Sequence, residues 1–514
     1  YSPWHETSTE DDGTCGEARI LDLVCVIFVK TYGLVAWGDA GAGGEILQAG
    51  AGGATALKLQ SGVSMVKGNG RAFAAIREGG AVFTWGDPRC GGDSSKVSKM
   101  IAKDVFKIYC NEWAFAALRA GGVCVTWGDQ LCGGNASSSE ALMKRLVTGV
   151  NTVVCSESAF AAMKSSGEVV TWGDPDTGGD SSAVEDELKD GVVELFRNPC
   201  AMAALKDSGA LVVWGDPAGG GTAGSARKAE QLAQGVVTVS SNLRAFAALK
   251  EDGSVVAWGD PSCGGDFGSE ATAAQLRSGV VCLQGNNHAF AAIKDDGSVV
   301  TWGATDLGGD SSAVADQLRS GVHELVFNCW AFAAIKEGGA IVTWGDPLRG
   351  GDSSAVAEQL RAGANSVVFN SWAFAALKDD GSVVAWGDPD SGGDSSSAAA
   401  RIAEGGSATK LTASGRAFAA VLAAGGVAAW GEPCEGGNCS QVDQELELAQ
   451  VVEVVATEGA FAARTAQGSV VAWGNRLCGG SAGAAGESLT SHVCKLMSNN
   501  LSFVALKGTG TYVT

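Results

Sequence analysis

The chain has 514 residues, of which 75 are Gly and only 9 are Pro, with 46% hydrophobic and 18% charged side chains. This composition excludes a disordered or collagen-like chain and supplies enough apolar residues for a large core. The formal charge of −21 argues against a general binder of nucleic acid or anionic membranes, because both reward clustered positive charge. Cationic protein partners fit this charge better, and no nucleic-acid partner is expected.

Residues 1–19 precede the first periodic segment and are predicted to form an N-terminal extension. The chain begins with Tyr1 instead of Met, which favours a processed protein that is secreted or lies in an organelle lumen. The most strongly apolar run, residues 23–29, is too short for a bilayer-spanning helix, so no membrane span is expected.

From residue 20 onward the chain consists of repeats. Trp-Gly occurs eleven times at intervals of 42 to 48 residues, and a Gly-Gly pair stands six and seven residues after every Trp. In one copy, residues 373–378 and 382–386 are typical of two short strands, and Asp380-Gly381 between them indicates a hairpin. A third strand precedes each hairpin, and a short helix, such as residues 352–361, follows the Gly-Gly turn.

Both ends of the repeat region are atypical. It opens with a segment of the third-strand type, residues 20–24, and closes with a degenerate hairpin, residues 503–513, that lacks its Trp. Counting both ends predicts an all-β repeat protein with short connector helices and twelve three-stranded units of about 43 residues. Because twelve units exceed one ordinary propeller, we expect a propeller-type arrangement in tandem rings, with an open superhelix as the alternative. The first half, residues 20–262, then holds units 1–6, and the second half, residues 263–514, holds units 7–12.

The repeat carries the pattern Gly-x-Val-x-x-Trp-Gly, seen clearly in residues 381–387. This pattern resembles the repeat of the regulator of chromosome condensation family of β-propellers. The short repeat is especially similar to the β-lactamase-inhibitor branch, and the resemblance implies a propeller that binds its target on one face. The chain departs from the family by having mostly Pro where the family has Asn after Trp-Gly, and Gly-Gly where the family has Gly-Gln. No segment matches a nucleotide-exchange wedge.

The position just before Ala-Phe varies in chemistry from copy to copy on this constant frame. We interpret it as a protein-binding stripe whose candidate residues are Arg71, Trp113, Arg244, His288, Trp330, Trp372 and Arg416. Repeat proteins present recognition surfaces in this way, and Trp and Arg dominate interface energetics. The alternative is that Trp330 and Trp372, which stand in neighbouring copies, pack on each other as part of the structure.

Other recurring residues have simpler interpretations. The Asp residues that follow Trp-Gly and Gly-Gly are predicted to cap turns and helices, with calcium binding as the alternative. Cys90 and Cys132 share one repeat position, and Cys110 and Cys155 share another, so each pair either forms a disulfide or consists of free, small apolar side chains. Zinc is not expected, because the chain has only four His and no Cys-x2-Cys pair.

No catalytic grouping recurs with the repeat, so we expect no enzymatic activity and no cofactor. The sequence predicts a non-enzymatic scaffold that binds protein partners, or a structural subunit of a larger assembly. One alternative is a guanine-nucleotide exchange factor-like regulator, which only the family resemblance implies. The other is a carbohydrate-binding module that stacks sugars on Trp113, Trp330 and Trp372.

Overall fold

The computed structural model describes residues 32–44, 58–136 and 139–508. Its 33 strands form eleven three-stranded antiparallel blades, two of which are joined into one sheet by the single pairing of Tyr32 with Val63. Hydrogen bonds such as Cys155 Sγ to the Cys110 carbonyl link the first strands of neighbouring blades. The blades therefore converge on their first strands, which surround the ring axis.

Each blade runs outward from an inner strand through a middle strand to an outer strand. The inner strands of blades 1 to 11 are β2 (Val63–Gly68), β5 (Val105–Cys110), β8 (Val150–Cys155), β11 (Val192–Arg197), β14 (Val236–Ser241), β17 (Val280–Gly285), β20 (Val322–Phe327), β23 (Ala364–Phe369), β26 (Ala408–Ala413), β29 (Val451–Ala456) and β32 (Val493–Ser498). The middle strands are β3 (Ala72–Arg77), β6 (Ala114–Arg119), β9 (Ala159–Lys164), β12 (Ala201–Lys206), β15 (Ala245–Lys250), β18 (Ala289–Lys294), β21 (Ala331–Lys336), β24 (Ala373–Lys378), β27 (Ala417–Leu422), β30 (Ala460–Thr465) and β33 (Ser502–Gly508). The outer strands are β4 (Val82–Gly86), β7 (Val123–Gly128), β10 (Val169–Gly173), β13 (Leu211–Gly215), β16 (Val255–Gly259), β19 (Val299–Gly303), β22 (Ile341–Gly345), β25 (Val383–Gly387), β28 (Val427–Gly431), β31 (Val470–Gly474) and β1 (Tyr32–Gly38).

The middle strand supplies the core on both faces of a blade. In β21, Phe332 and Ala334 pack towards blade 6, whereas Ala331 and Ala333 pack towards blade 8, and all four are fully buried. Side chains alternate between the two faces of a strand, so this run serves two interfaces at once. The Phe332 ring stacks on Trp344 of the outer strand with centroids 5.4 Å apart.

The Gly-Gly pair joins each blade to the next. Gly350 has a φ of +99°, and a Cβ there would lie 2.4 Å from the Phe374 ring of the following blade. Its carbonyl accepts a hydrogen bond from Trp386 Nε1 at 3.1 Å. All eleven Trp residues of the repeat make this bond to the preceding loop, at 3.0 to 3.1 Å. This joint explains why the spacing from Trp to Gly-Gly never changes.

The N-terminal strand completes the last blade. β1 pairs with β33 along its whole length, and Trp37 stacks on Phe503 at 5.3 Å. Trp37 Nε1 also donates to the Gly479 carbonyl, and Trp85 of blade 1 donates to the Gly43 carbonyl that follows β1. The ring is therefore closed.

This closure corrects the predicted count and arrangement. The expectation of twelve units in tandem rings is wrong, because the described chain forms eleven blades in one ring. The superhelical alternative fails for the same reason. The Trp missing from the degenerate C-terminal hairpin is supplied by β1, so the two atypical ends form one blade. The strand expected at residues 20–24 and the chain after residue 508 lie outside the described residues.

The connectors contain few regular helices. Short α-helices occur at α1 (Glu140–Leu146), α2 (Ala226–Leu232), α3 (Glu270–Gln275), α4 (Ser396–Glu404) and α5 (Asp443–Leu448). The helix predicted at 352–361 is a single 3-10 turn, Ser354–Val356, followed by further turns. Its predicted cap is confirmed, because Asp352 Oδ1 accepts from the Ser354 amide at 2.8 Å. No helix among the described residues is both long and apolar enough to cross a bilayer.

Candidate functional site

Two sets of loops share one face of the ring, which we call the upper face. In blade 7, Phe327 at the end of the inner strand pairs with Phe332, and Gly345 at the end of the outer strand pairs with Ala331. The turn between the first two strands and the loop after the third strand therefore emerge at the same end of the blade. Every candidate residue of the predicted stripe belongs to the first of these loops.

The stripe residues alternate around the ring with residues of the outer loops. We call the combined set the belt, and its outer-loop members, which stand just before Gly-Gly, are Ala42, Cys90, Cys132, Thr177, Gly219, Cys263, Leu307, Arg349, Ser391, Glu435 and Cys478. Cys263 Sγ lies 3.9 Å from His288 Nδ1 of the next blade. Arg416 Nε donates to Ser391 Oγ of the preceding loop at 3.0 Å. These contacts link blade 5 to blade 6 and blade 8 to blade 9 across the upper face.

A cluster of aromatic side chains occupies the belt in blades 6 to 8. The Arg349 guanidinium lies between the Trp330 and Trp372 rings, 4.5 and 4.8 Å from their centroids, and forms an ion pair with Asp346. On its other side Trp330 stacks with His288 at 5.3 Å. The two Trp residues therefore pack through an intervening Arg rather than directly on each other. Because both faces of Trp330 are covered, this ring offers no platform for stacking a sugar.

Two arginines of the stripe, Arg244 and Arg416, connect the loops of adjacent blades. Arg244 lies 3.4 Å from Asp216 and 3.3 Å from Asp260, which belong to consecutive outer loops. A hydrogen bond from Ser262, together with Arg244, lowers the pKa of Asp260. Arg416 makes the equivalent, longer ion pairs in blades 8 and 9.

The remaining two candidates are more accessible. Arg71 is exposed, and Trp113 keeps 37% of its surface in solvent. The structure therefore places all seven candidates in one belt but leaves them unequally accessible.

A buried Asn that sequence reasoning missed fixes both halves of the belt. Asn328 Oδ1 accepts from the amides of Trp330 and Ala331, both at 2.9 Å, and its Nδ2 donates to the Arg349 carbonyl at 2.8 Å. Asn stands at this position in eight blades, and Ser or Thr replaces it at 156, 414 and 457. This recurrence two residues before the stripe is a signal that could have identified it. These side chains are buried and position the belt.

The cysteines of the described chain form no disulfides. All thirteen keep their thiol groups. Cys155 Sγ donates to the Cys110 carbonyl at 2.9 Å, and burial raises the pKa of Cys110 to about 12. Burial likewise raises the pKa of Cys263 and lowers that of His288. These thiols remain protonated at neutral pH and behave as small apolar side chains.

A cavity of about 240 Å³ lies among the inner turns of the upper face. It is lined by the inner turns of blades 7 to 11, including Ser371, Gly415, Glu458 and Asn500. Backbone hydrogen bonds from Gly415 to Glu458 and from Glu458 to Asn500 join these turns. Within the described ranges, no group of three or more His, Cys, Asp or Glu side chains could hold a metal ion.

The sequence matches no protein-family model and no curated protein. Among solved structures, yeast RCC1 (Prp20) bound to Kap60 is 15% identical, with a TM-score of 0.31 over 62% of this chain and 79% of that chain. The ectodomain of the Physcomitrella patens receptor kinase CR4 is 13% identical, with a TM-score of 0.28 over 60% and 74%. Human WBSCR16 is 15% identical, with a TM-score of 0.27 over 71% and 91%. Likeness at this level carries no argument about ligands, and the propeller architecture rests on the strand pairing of this chain.

Proposed function

We propose that this protein is a non-catalytic scaffold that binds another protein through the upper face of its ring. The observation that carries the proposal is the belt, in which one backbone position presents Arg, Trp, His, Cys, Ser, Gly or Leu on blades of the same architecture. A constant frame with variable side chains suits recognition. A repeated chemical reaction would require the same groups in each blade.

The state of the polar belt groups supports binding rather than catalysis. A reactive cysteine requires a thiolate, usually stabilised by a neighbouring cationic imidazole. In the one Cys–His contact of the described belt, burial disfavours both charged forms, because it raises the pKa of Cys263 and lowers the pKa of His288. The pair is therefore neutral and packs as part of the surface.

Site-specific photo-crosslinking tests this function. A photoreactive amino acid replaces Leu131, Leu348 or Leu477 on the upper face, or Glu251 or Asp295 in hairpin turns of the opposite face. We expect at least one upper-face probe to capture one recurring protein in extracts of the source organism, and the opposite-face probes to capture none of it. Equal capture from both faces, or none from the upper face, would contradict the proposal.

A further inference from the structure

Resting on this protein-binding function, we propose that blades 6 to 8 of the upper face dock a partner helix whose apolar centre is flanked by basic residues. Three consecutive outer loops of these blades have Asp306, Leu348 and Asp390 at their tips, at equivalent positions 42 residues apart. We call these three tips the arc. Leu348 is 78% exposed, and both Asp side chains are exposed. The tips therefore present an apolar group between two acidic groups.

The apolar tip is held rigidly in solvent. The Leu348 amide donates to Asp346 Oδ1 at 2.9 Å, and Pro347 begins the same 3-10 turn. The next residue, Arg349, is clamped between Trp330 and Trp372. Because the backbone that carries Leu348 is already ordered, binding costs less conformational entropy, which is typical of an interface anchor.

The charges of the arc specify what can cover it. The one cation at its centre, Arg349, is neutralised by Asp346. None of the ion pairs in the described chain involves Asp306 or Asp390. Both ends of the arc therefore remain negative, and the complementary surface carries a positive charge at each end of an apolar centre.

The spacing of the blades matches a helix. Packed sheets lie about 10 Å apart, so the two carboxylates are separated by roughly 20 Å. A helix rises about 1.5 Å per residue, so residues seven apart repeat on one face every ~10 Å. A basic residue, an apolar residue seven positions later and a second basic residue after another seven would meet Asp390, Leu348 and Asp306 in either direction.

Two other loop tips carry an exposed Leu without this charge pattern. Leu131 is 81% exposed and stands between Arg89 and Asp176 in the neighbouring blades, and Leu477 stands between Gly41 and Cys434. The Leu131 amide is capped by Asp129 Oδ1 at 2.8 Å, as in blade 7. Leu131 is therefore a matched control for Leu348 in exposure and loop geometry.

Binding of synthetic peptides to the full chain tests the proposal. Two fluorescein-labelled helical peptides carry either Lys-Leu-Lys or Glu-Leu-Glu at seven-residue intervals, and fluorescence anisotropy gives their dissociation constants. We expect Leu348→Asp to weaken binding of the Lys peptide by about tenfold or more, and Leu131→Asp to leave it nearly unchanged. Circular dichroism and thermal midpoints verify that each variant is folded.

A charge exchange separates local recognition from the general attraction of an acidic protein for a basic peptide. We expect the double variant Asp306→Lys/Asp390→Lys to lose the Lys peptide and to bind the Glu peptide. The double variant Asp176→Lys/Asp207→Lys makes the same change in net charge elsewhere and should not exchange the preference.

Three outcomes would overturn the arc as the docking site: no binding by the natural sequence, equal effects of the two Leu variants, or no exchange of preference. The crosslinking result is separate. If upper-face probes still capture a partner whose binding is insensitive to Leu348→Asp, the partner docks elsewhere on this face, and only the present inference fails. If no upper-face probe captures a protein, the proposed function itself fails.

Discussion

Closure of the ring by β1 predicts an energetic coupling between Trp37 and Phe503, which lie at opposite ends of the chain. Trp37 is only 2% exposed, stacks on Phe503 at 5.3 Å and donates to the Gly479 carbonyl at 3.0 Å. Trp37→Leu removes the stack and a buried hydrogen bond worth about 1 kcal/mol. Since replacing a buried Trp by Ala costs about 3–5 kcal/mol, we expect this milder change to cost about 2–4 kcal/mol. The stacking itself should appear as a coupling of about 1 kcal/mol with Phe503→Leu.

A double-mutant cycle measures this coupling. Urea unfolding is followed by circular dichroism, because the substitutions alter Trp fluorescence. The matched control is the cycle on Trp386 and Phe374, which make the same stack at 5.4 Å within one continuous hairpin. We expect both cycles to show similar coupling, and Trp37→Leu combined with Phe374→Leu to be additive within about 0.5 kcal/mol. Additivity between Trp37 and Phe503, with coupling in the control cycle, would refute the closed ring.

Three further predictions follow from the belt and the thiols. Asn328→Ala should lower the free energy of unfolding by about 1–3 kcal/mol because it leaves buried backbone groups unpaired. Asn328→Ser introduces the residue found at 414 and should lower the free energy of unfolding by less. Equal losses of the two variants in urea unfolding would contradict this. Among the described cysteines, only Cys434 and Cys494 are exposed, so mass spectrometry after brief native alkylation should find these two modified and the others protected. Burial lowers the pKa of His288 below its usual 6.5, so the folded state resists protonation and its stability falls as the pH drops below that value. The stability advantage of the natural sequence over His288→Gln should therefore shrink between pH 7.5 and 5, and a difference that does not change with pH would contradict this origin.

Local structure could be predicted closely because its determinants lie within a few residues. Asp380-Gly381 indicated a hairpin, and Gly381 takes a φ of +76° between β24 and β25. The Asp residues after Gly-Gly were predicted as caps, and Asp352 caps its turn. The prediction of a connector helix at 352–361 is wrong in kind: the segment forms the 3-10 turn Ser354–Val356 and further turns, and its Leu360 packs into the core between blades 7 and 8.

The sequence located the residues of the candidate site, but it could not predict the contacts between them. Variation before Ala-Phe identified Trp330 and Trp372 as members of the stripe. Arg349, which separates them, occupies a different repeat position, and nothing in the spacing relates it to either Trp. Arg349 reaches its position because the outer loop of blade 7 lies between the inner turns of blades 7 and 8. Only the packing of neighbouring blades in the ring creates that arrangement.

The sequence by itself determined the repeat, its hairpins and the glycines that each joint requires, because these depend on residues close together in the chain. It also determined which position varies in chemistry from blade to blade. Only the tertiary structure decided that the ends meet, since Trp37 can complete the blade of Phe503 only when ten other blades bring them together. The same closure decided the number of blades and brought side chains of separate repeats into one continuous belt. The physical reason is that each blade buries its faces against its neighbours, so the last blade is complete only when the first strand of the described chain joins it.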